Sequence, residues 1–213
     1  MTTNKHYDRK QKKAKILNTA IKLFAAKGYS ATGMREIARK SGITTGGLYN
    51  YYKSKRQILY DIQKECVSNL LDEISHCPEE MTAREKLKFI IVALLKVIHY
   101  HKFPYQIMFS EYLHFSKAER DLLEKDTKKI EEFMAQTLRE GIRKGDFKKH
   151  PNNMDFKEYV NLIALFLFGV CQHATRWYNP EGPVSYDKIG KLFATLALDG
   201  LYAAQSQQPT KDS

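Results

Sequence analysis

"TTGGLYNYYKSK", Thr44 to Lys55, decides how this chain folds. A Gly-Gly pair between β-branched and aromatic residues is a hairpin signal. The same pair inside a short helix costs about 1 kcal/mol per glycine relative to alanine. That cost is reasonable only where bare backbone must approach something closely. The flanking sequence separates the two readings. Upstream, Ile16, Ala20, Leu23 and Phe24 fall at i, i+4, i+7 and i+8, and Gly28 closes that apolar stripe as a C-terminal glycine would. Thr32 can cap a second helix, with Met34, Ile37 and Ala38 inward and Glu36 in its first turn, ending at Gly42. Downstream, Ser54 and Gln57 form a capping box ahead of Ile58, Ile62 and Cys66. A lone hairpin amid helices would have no sheet to join. The stretch is therefore expected to be a third helix, capped by Thr44, with Leu48 and Tyr52 facing a core.

A helix, a turn containing glycine and a second helix make a helix-turn-helix, whose second helix enters the DNA major groove. Gly46 and Gly47 stand at its leading end, where backbone N–H groups face phosphate. Thr45 and Asn50 are left as base readers, since Asn suits adenine N6 and N7. Thr44, Tyr49, Tyr51, Lys53 and Lys55 are expected on phosphates, Thr32 is also expected at the DNA, and Lys10, Lys12 and Lys13 would form a basic arm. Charge placement agrees. The formal net charge is +11. Residues 1–55 carry 13 Lys/Arg against 2 Asp/Glu, while the remainder carries 22 of each. The excess runs on through Lys22, Lys27, Arg35, Arg39 and Lys40, among residues with helical spacing, so it is more than a solvated tail. A basic segment on a neutral body indicates a polyanion.

"SGITTGGLYNYYKSKRQIL", Ser41 to Leu59, resembles the DNA-binding signature of TetR-family transcriptional regulators, roughly a-G-v-s-x-g-x-l-Y-x-y-F-x-s-K-e-x-L. Gly42, Ile43, Thr44, Gly46, Leu48, Tyr49, Tyr51, Tyr52, Ser54, Lys55 and Leu59 fall on it. "ILNTAIKLFAAKGYSATGMREIARKSG", Ile16 to Gly42, is similar to that family's first two helices. Tyr52 replaces the usual Phe, and Gly47 a commoner small or polar residue. The resemblance implies a cytoplasmic homodimer with an N-terminal three-helix domain on a palindromic operator. It also implies a C-terminal helical domain that holds a small-molecule inducer, whose binding moves the helix beginning near Ser54. Two recognition helices must then lie about 34–36 Å apart, or a multiple of it.

The rest of the chain reads as helical, giving an all-α fold of about nine helices. They are expected at Lys10–Lys27, Thr32–Lys40, Thr44–Tyr51, Ser54–Ser75, Thr82–His101, Tyr105–Leu113, Ser116–Lys144, Asp155–Trp177 and Ser185–Gln205. Ser/Thr-x-x-Glu boxes open the helices at Thr82 and Ser116. The expected division is a DNA-binding domain at 1–53, a ligand-binding and dimerisation domain at 54–205, and a polar tail at 206–213. The segments at 155–177 and 185–205 are the most apolar, and family resemblance would pair them with their symmetry mates. Val160, Ile163, Ala164, Leu167, Ile189, Phe193 and Leu196 are expected in that interface; the other reading buries them within one chain.

"HKFPYQIMFSEYLHF", His101 to Phe115, is crowded with aromatics. Phe103, Tyr105, Met108, Phe109 and Tyr112, with Phe168 and Cys171, are either pocket lining or ordinary core. "TRWYNPEGPVS", Thr175 to Ser185, looks like the corresponding segment of TetR-family regulators of fatty-acid or steroid degradation, which respond to acyl-CoA thioesters. There Arg176 could pair with a phosphate and Trp177 could stand at a pocket mouth; the other reading makes the loop a structural turn. A repressor of an efflux or detoxification gene, induced by aromatic compounds, is the alternative within this class.

Other classes fit less well. Three cysteines with no C-x-x-C pair indicate neither a disulfide framework nor a zinc finger, as expected in a reducing cytoplasm. No secretory leader opens the chain, and the longest apolar run, Val160 to Cys171, is too short to span a bilayer. No P-loop, G-x-S-x-G, G-x-G-x-x-G or H-E-x-x-H motif is present, and no cofactor or metal is called for. Glu111 and His114 form a single Glu-x-x-His, where a di-metal site needs two. A non-specific basic DNA binder would account for the first quarter of the chain, but not for a neutral, aromatic-rich remainder.

Overall fold

The computed structural model describes residues 2–111, 115–147 and 153–201, with the side chains of 2–6, 108, 109 and 201 outside the description. Eight helices follow in order. They are α1 (Thr2–Lys27), α2 (Met34–Ser41), α3 (Thr45–Tyr49), α4 (Lys55–Ser75), α5 (Ala83–Ser110), α6 (Lys117–Lys144), α7 (Phe156–Trp177) and α8 (Tyr186–Leu201). No strand occurs among the described residues. No described helix is long and apolar enough to cross a membrane.

Local chemistry sets most of the boundaries. Thr44 caps α3 by accepting from the Gly47 N–H at 3.0 Å. Ser54 caps α4 by accepting from Gln57 N–H at 3.2 Å, and Gln57 reaches back to the Lys53 N–H at 2.8 Å. Thr82 with Glu85 and Ser116 with Glu119 both close complete capping boxes.

Three boundaries depart from expectation. α1 begins well before Lys10, because the polar residues ahead of it carry no apolar stripe to announce a helix. α2 is capped by Gly33 rather than Thr32. The Thr32 hydroxyl instead donates back to the Gly28 carbonyl at 2.9 Å. The two helices expected at Thr82–His101 and Tyr105–Leu113 run as one, α5, kinked at His101 (φ −129°, ψ 33°). Pro104 is the physical cause of the kink, since it lacks an N–H and its ring crowds the preceding turn. The helix resumes because Tyr105 and Ile107 beyond it are buried. The expected end of that second helix, the end of the last helix near Gln205 and the polar tail lie outside the described residues.

Two apolar clusters form. One holds Ile16, Phe24, Ile37, Leu48, Tyr52, Ile58, Leu59 and Ile62, joined by Ile107, Phe115 and Leu123 from the second half of the chain. The other gathers α5 with the second half of α4 and with α6, α7 and α8. α4 belongs to both. Ile58, Leu59 and Ile62 lie in the first cluster, and Cys66, Val67, Leu70 and Ile74 in the second. The expected division at residues 53/54 thus precedes a helix that both halves share.

Candidate nucleic-acid interface and effector cavity

α2 ends at Gly42, whose φ of 73° is the left-handed conformation that glycine adopts freely, and its N–H bonds back to Ala38 and Arg39 carbonyls. That turn presents α3 outward. Ile37, Ala38, Leu48 and Tyr52 anchor the unit in the core. Gly46, Tyr49, Asn50 and Lys53 are exposed, and Thr45 and Tyr51 half-buried, so these side chains share the accessible part of α3 and its C-terminal turn. The first main-chain helical bond runs from Leu48 N–H to the Thr44 carbonyl at 3.0 Å, so Thr45 and Gly46 begin the helix ahead of it. The two glycines differ. A Cβ on Gly46 would meet nothing within 4 Å, whereas one on Gly47 would stand 3.1 Å from the capping Thr44 hydroxyl. Folding therefore explains Gly47 and leaves Gly46 without a folding reason.

Thr32 and Lys55, both expected at the DNA, are turned into the protein, while Lys53 stays exposed and donates to the Tyr49 carbonyl at 3.1 Å. Thr32 is buried at 2% exposure, behind its bond to Gly28. The Lys55 ammonium donates to the carbonyls of Tyr29 at 2.6 Å and Thr32 at 2.8 Å, and lies 4.1 Å above the Tyr29 ring. Burial lowers its pKa from the ordinary lysine value. Lys55 braces the α1–α2 loop against α4 instead of facing solvent. Lys10 and Lys12 are exposed on α1, Lys12 pairing with Asp8 at 2.8 Å. Lys13 bonds Asp61 at 2.7 Å, and Asp61 accepts from the Tyr52 hydroxyl at 3.2 Å. That second α1–α4 brace had no sequence signal, because its partners lie far apart in the chain.

The residues expected in a dimer interface divide by face. Val160, Ala164, Leu167 and Ile189 are buried in the chain's own core, and Ile163 and Phe193 pack half-buried at its margin. Only Leu196 of the seven is openly outward. The outward apolar face is carried instead by Leu162, Leu165, Phe166 and Val170 of α7, with Leu192 and Leu196 of α8. A helix apolar around most of its girth does not reveal by period which stripe turns inward. Trp177 sits at the end of this outward face, its ring 6.3 Å from that of Phe193, beside Phe166, Val170 and His173.

A cavity of about 570 Å³ opens between α4, α5, α6 and α7. Val67, Leu70, Tyr105, Leu123, Ile130 and Phe168 supply its apolar wall, and Gln63, Glu124, Thr127, Lys128, Glu131 and Gln172 its polar points. An adjoining groove of about 770 Å³ is lined by Lys125, Lys129, Arg139 and Lys157, and shares Lys128, Ile130, Glu131 and Phe168 with the inner chamber. Lys129 pairs with Asp126 at 2.7 Å, and Arg139 pairs with Glu132. Of the expected ligand contacts, Tyr105 and Phe168 line this cavity, with the Tyr105 hydroxyl donating to the Cys66 carbonyl at 3.0 Å.

Cys171 is core, and burial pushes its thiol up to about 12. Phe103 is 54% exposed and borders a separate groove against α1 and α4. Arg176 and Trp177 border neither chamber. The Met108 and Phe109 side chains, Tyr112 and His114 lie outside the described residues. Sequence reasoning missed Gln63, Leu123 and Lys128. Gln63 had a signal, as a polar residue in the apolar series Leu59, Gln63, Val67, Leu70 at helical spacing.

A helix-turn-helix head, a helical body with an internal cavity and an outward apolar face together define a ligand-responsive DNA-binding regulator. Residues 16–62 match the family described as bacterial regulatory proteins, tetR family, and residues 80–201 match the tetracyclin repressor-like C-terminal domain. The chain belongs to the TetR family of transcriptional regulators. It is 27% identical over 195 residues to the HTH-type transcriptional repressor KstR2 of Mycolicibacterium smegmatis, covering 91% of this chain and 92% of that one. It is 25% identical over 201 residues to the fatty acid metabolism regulator protein of Bacillus subtilis, covering 91% and 98%. Its fold is similar to that of AibR in complex with isovaleryl coenzyme A and operator DNA, with a TM-score of 0.71 at 19% identity over 90% of this chain and 98% of AibR.

Proposed function

We propose that this chain is a cytoplasmic repressor, acting by binding alone and without catalysis, that leaves a palindromic operator when an acyl-CoA thioester enters the cavity. The observation that carries the effector class is the pairing of two chambers. A chamber whose wall of Val67, Leu70, Tyr105, Leu123, Ile130 and Phe168 suits an acyl chain adjoins a groove where Lys125, Lys128 and Lys157, beside Glu131 and Glu132, offer cations to phosphates. The similarity to a fatty acid metabolism regulator supports the same class. α4 forms one wall of the cavity and also packs in the core of the DNA-binding head. A ligand that binds the two head positions unequally therefore shifts their equilibrium.

The test is fluorescence anisotropy on DNA upstream of the protein's own gene, with random DNA as competitor. Specific binding by roughly a thousandfold at physiological salt is expected. Dodecanoyl-CoA should release the DNA, while CoA and dodecanoate should not. Asn50→Ala should lower the preference for the operator by about tenfold, whereas Lys53→Ala should weaken operator and random DNA alike. Release by neutral aromatic compounds and not by thioesters would select the detoxification reading. Equal competition by random DNA would reduce the protein to a non-specific binder.

A further inference from the structure

α1 extends well beyond the core it serves. Among its described side chains the first that is buried is Ile16, and those of residues 7–15 are all exposed. A helical stretch that is polar all round has no packing reason of its own, and this one carries Arg9, Lys10, Lys12, Lys13 and Lys15.

Three of these cations lie along the recognition unit. The Lys13 ammonium is 5.5 Å from the centre of the Tyr52 ring, held by its bond to Asp61. Lys12 stands near Tyr51, which adds to the rise in its pKa caused first by the bond to Asp8. Lys15 stands at the other end of α3, by the turn from α2. A Cβ placed on Gly42 would lie 3.4 Å from the Lys15 Nζ, and both residues are exposed. α1 therefore runs beside α3, with a cation near each end of it.

Lys15 differs from its neighbours. Lys12 pairs with Asp8 and Lys13 with Asp61. Among the described residues the Lys15 ammonium has no ion-pair or hydrogen-bond partner. The DNA major groove is about 12 Å wide and a helix with its side chains about 10–12 Å across. A helix seated in the groove thus brings whatever flanks it against the phosphates at the groove's edges.

We infer that Lys15 is a DNA contact, its ammonium donating to a backbone phosphate at the edge of the groove that α3 enters. The inference rests on α3 being the helix that enters. Phosphate contacts fix how a reading helix sits without naming a base. Lys15 therefore holds the α2–α3 turn against the duplex and leaves the choice of sequence to α3.

The experiment is fluorescence anisotropy on the full-length protein between about 50 and 200 mM KCl. The duplexes are the DNA upstream of its own gene and a random sequence of the same length. Lys15→Met keeps the aliphatic stem and removes the charge, and Lys15→Arg keeps the charge. Lys22→Met removes another exposed cation of α1, one that borders the groove against α4 and α5 instead. Lys15→Met should bind both duplexes several-fold more weakly, and its plot of log K against log salt should flatten by about 0.9 for each head engaged. Lys15→Arg and Lys22→Met should keep the wild-type slope. An unchanged slope in Lys15→Met, or an equal flattening in Lys22→Met, overturns the contact. A loss confined to the upstream duplex would make Lys15 a base reader and overturns the phosphate assignment. Thermal unfolding separates a folding defect, which lowers the active fraction and not the slope. A lower Tm with the wild-type slope would therefore make Lys15 structural and overturn the inference as well. A wild type that binds neither duplex removes the DNA-binding reading, and this contact with it.

Discussion

The Lys55 ammonium lies within hydrogen-bond reach of two loop carbonyls, those of Tyr29 and Thr32, and over the Tyr29 ring. These carbonyls belong to the connection between α1 and α2, so one side chain from the start of α4 holds the approach to the recognition unit. Hydrogen bonds from a charged donor are stronger than neutral ones. Lys55→Met should therefore destabilise the protein by about 1–2 kcal/mol, read by urea unfolding, since it keeps the aliphatic stem and removes only the donor. The ratio of operator to random-DNA affinity in the folded variant should stay near that of the wild type. A selective loss on the operator would put Lys55 back on the DNA. A lysine at this motif position looks in sequence like any phosphate ligand, and Thr32 like a residue that caps α2 at the DNA. Nothing local reveals that both are turned toward carbonyls, because Lys55 meets partners more than 20 residues away.

At the level of the element, α3 answers what its two glycines do. Gly47 sits against the Thr44 hydroxyl that caps the helix, while Gly46 faces open space. Alanine at 46 should raise stability by up to about 1 kcal/mol, because glycine is the poorer helix former. If the backbone at Gly46 approaches DNA closely, the same variant should bind its operator several-fold more weakly. Unfolding and anisotropy measured on one preparation separate the two effects, and unchanged affinity would show that DNA does not approach Gly46. Helix starts were legible wherever a cap or a box stood in the sequence, as at Thr44, Ser54, Thr82, Ser116 and Asp155. They were illegible where a helix extends through polar residues, as in early α1, or where a hydroxyl bonds backward, as at Thr32. Pro104 marked the right place in α5 but not the outcome. Whether a proline ends or only bends a helix depends on what the next turn can bury, here Tyr105 and Ile107.

In the whole molecule, α4 ties the head to the body, and we propose that the outward apolar face of α7 and α8 is where two chains meet. The DNA-binding motif was readable because its chemistry is local. The cavity was only partly readable, since its walls come from four helices and depend on which stripe of each turns inward. Which stripe of α7 and α8 stays outward in the single chain was unreadable for the same reason. Phe166 is 65% exposed and Leu196 63%, so a carboxylate at either position meets water in the single chain. In a two-fold interface each substitution appears twice, facing its own copy or a neighbouring apolar group, and the buried charge opposes association. Phe166→Glu with Leu196→Glu should therefore yield a folded monomer, with circular dichroism and Tm near wild type, and half the wild-type mass by analytical ultracentrifugation. Because the second head then no longer binds at high effective concentration, affinity for the full palindrome should fall by roughly 10²–10⁴. Affinity for an isolated half-site should be unchanged. Leu167→Glu, one position from Phe166 but buried in the chain's own core, should instead unfold the body. A double variant that remains dimeric would place the interface on another surface of the molecule.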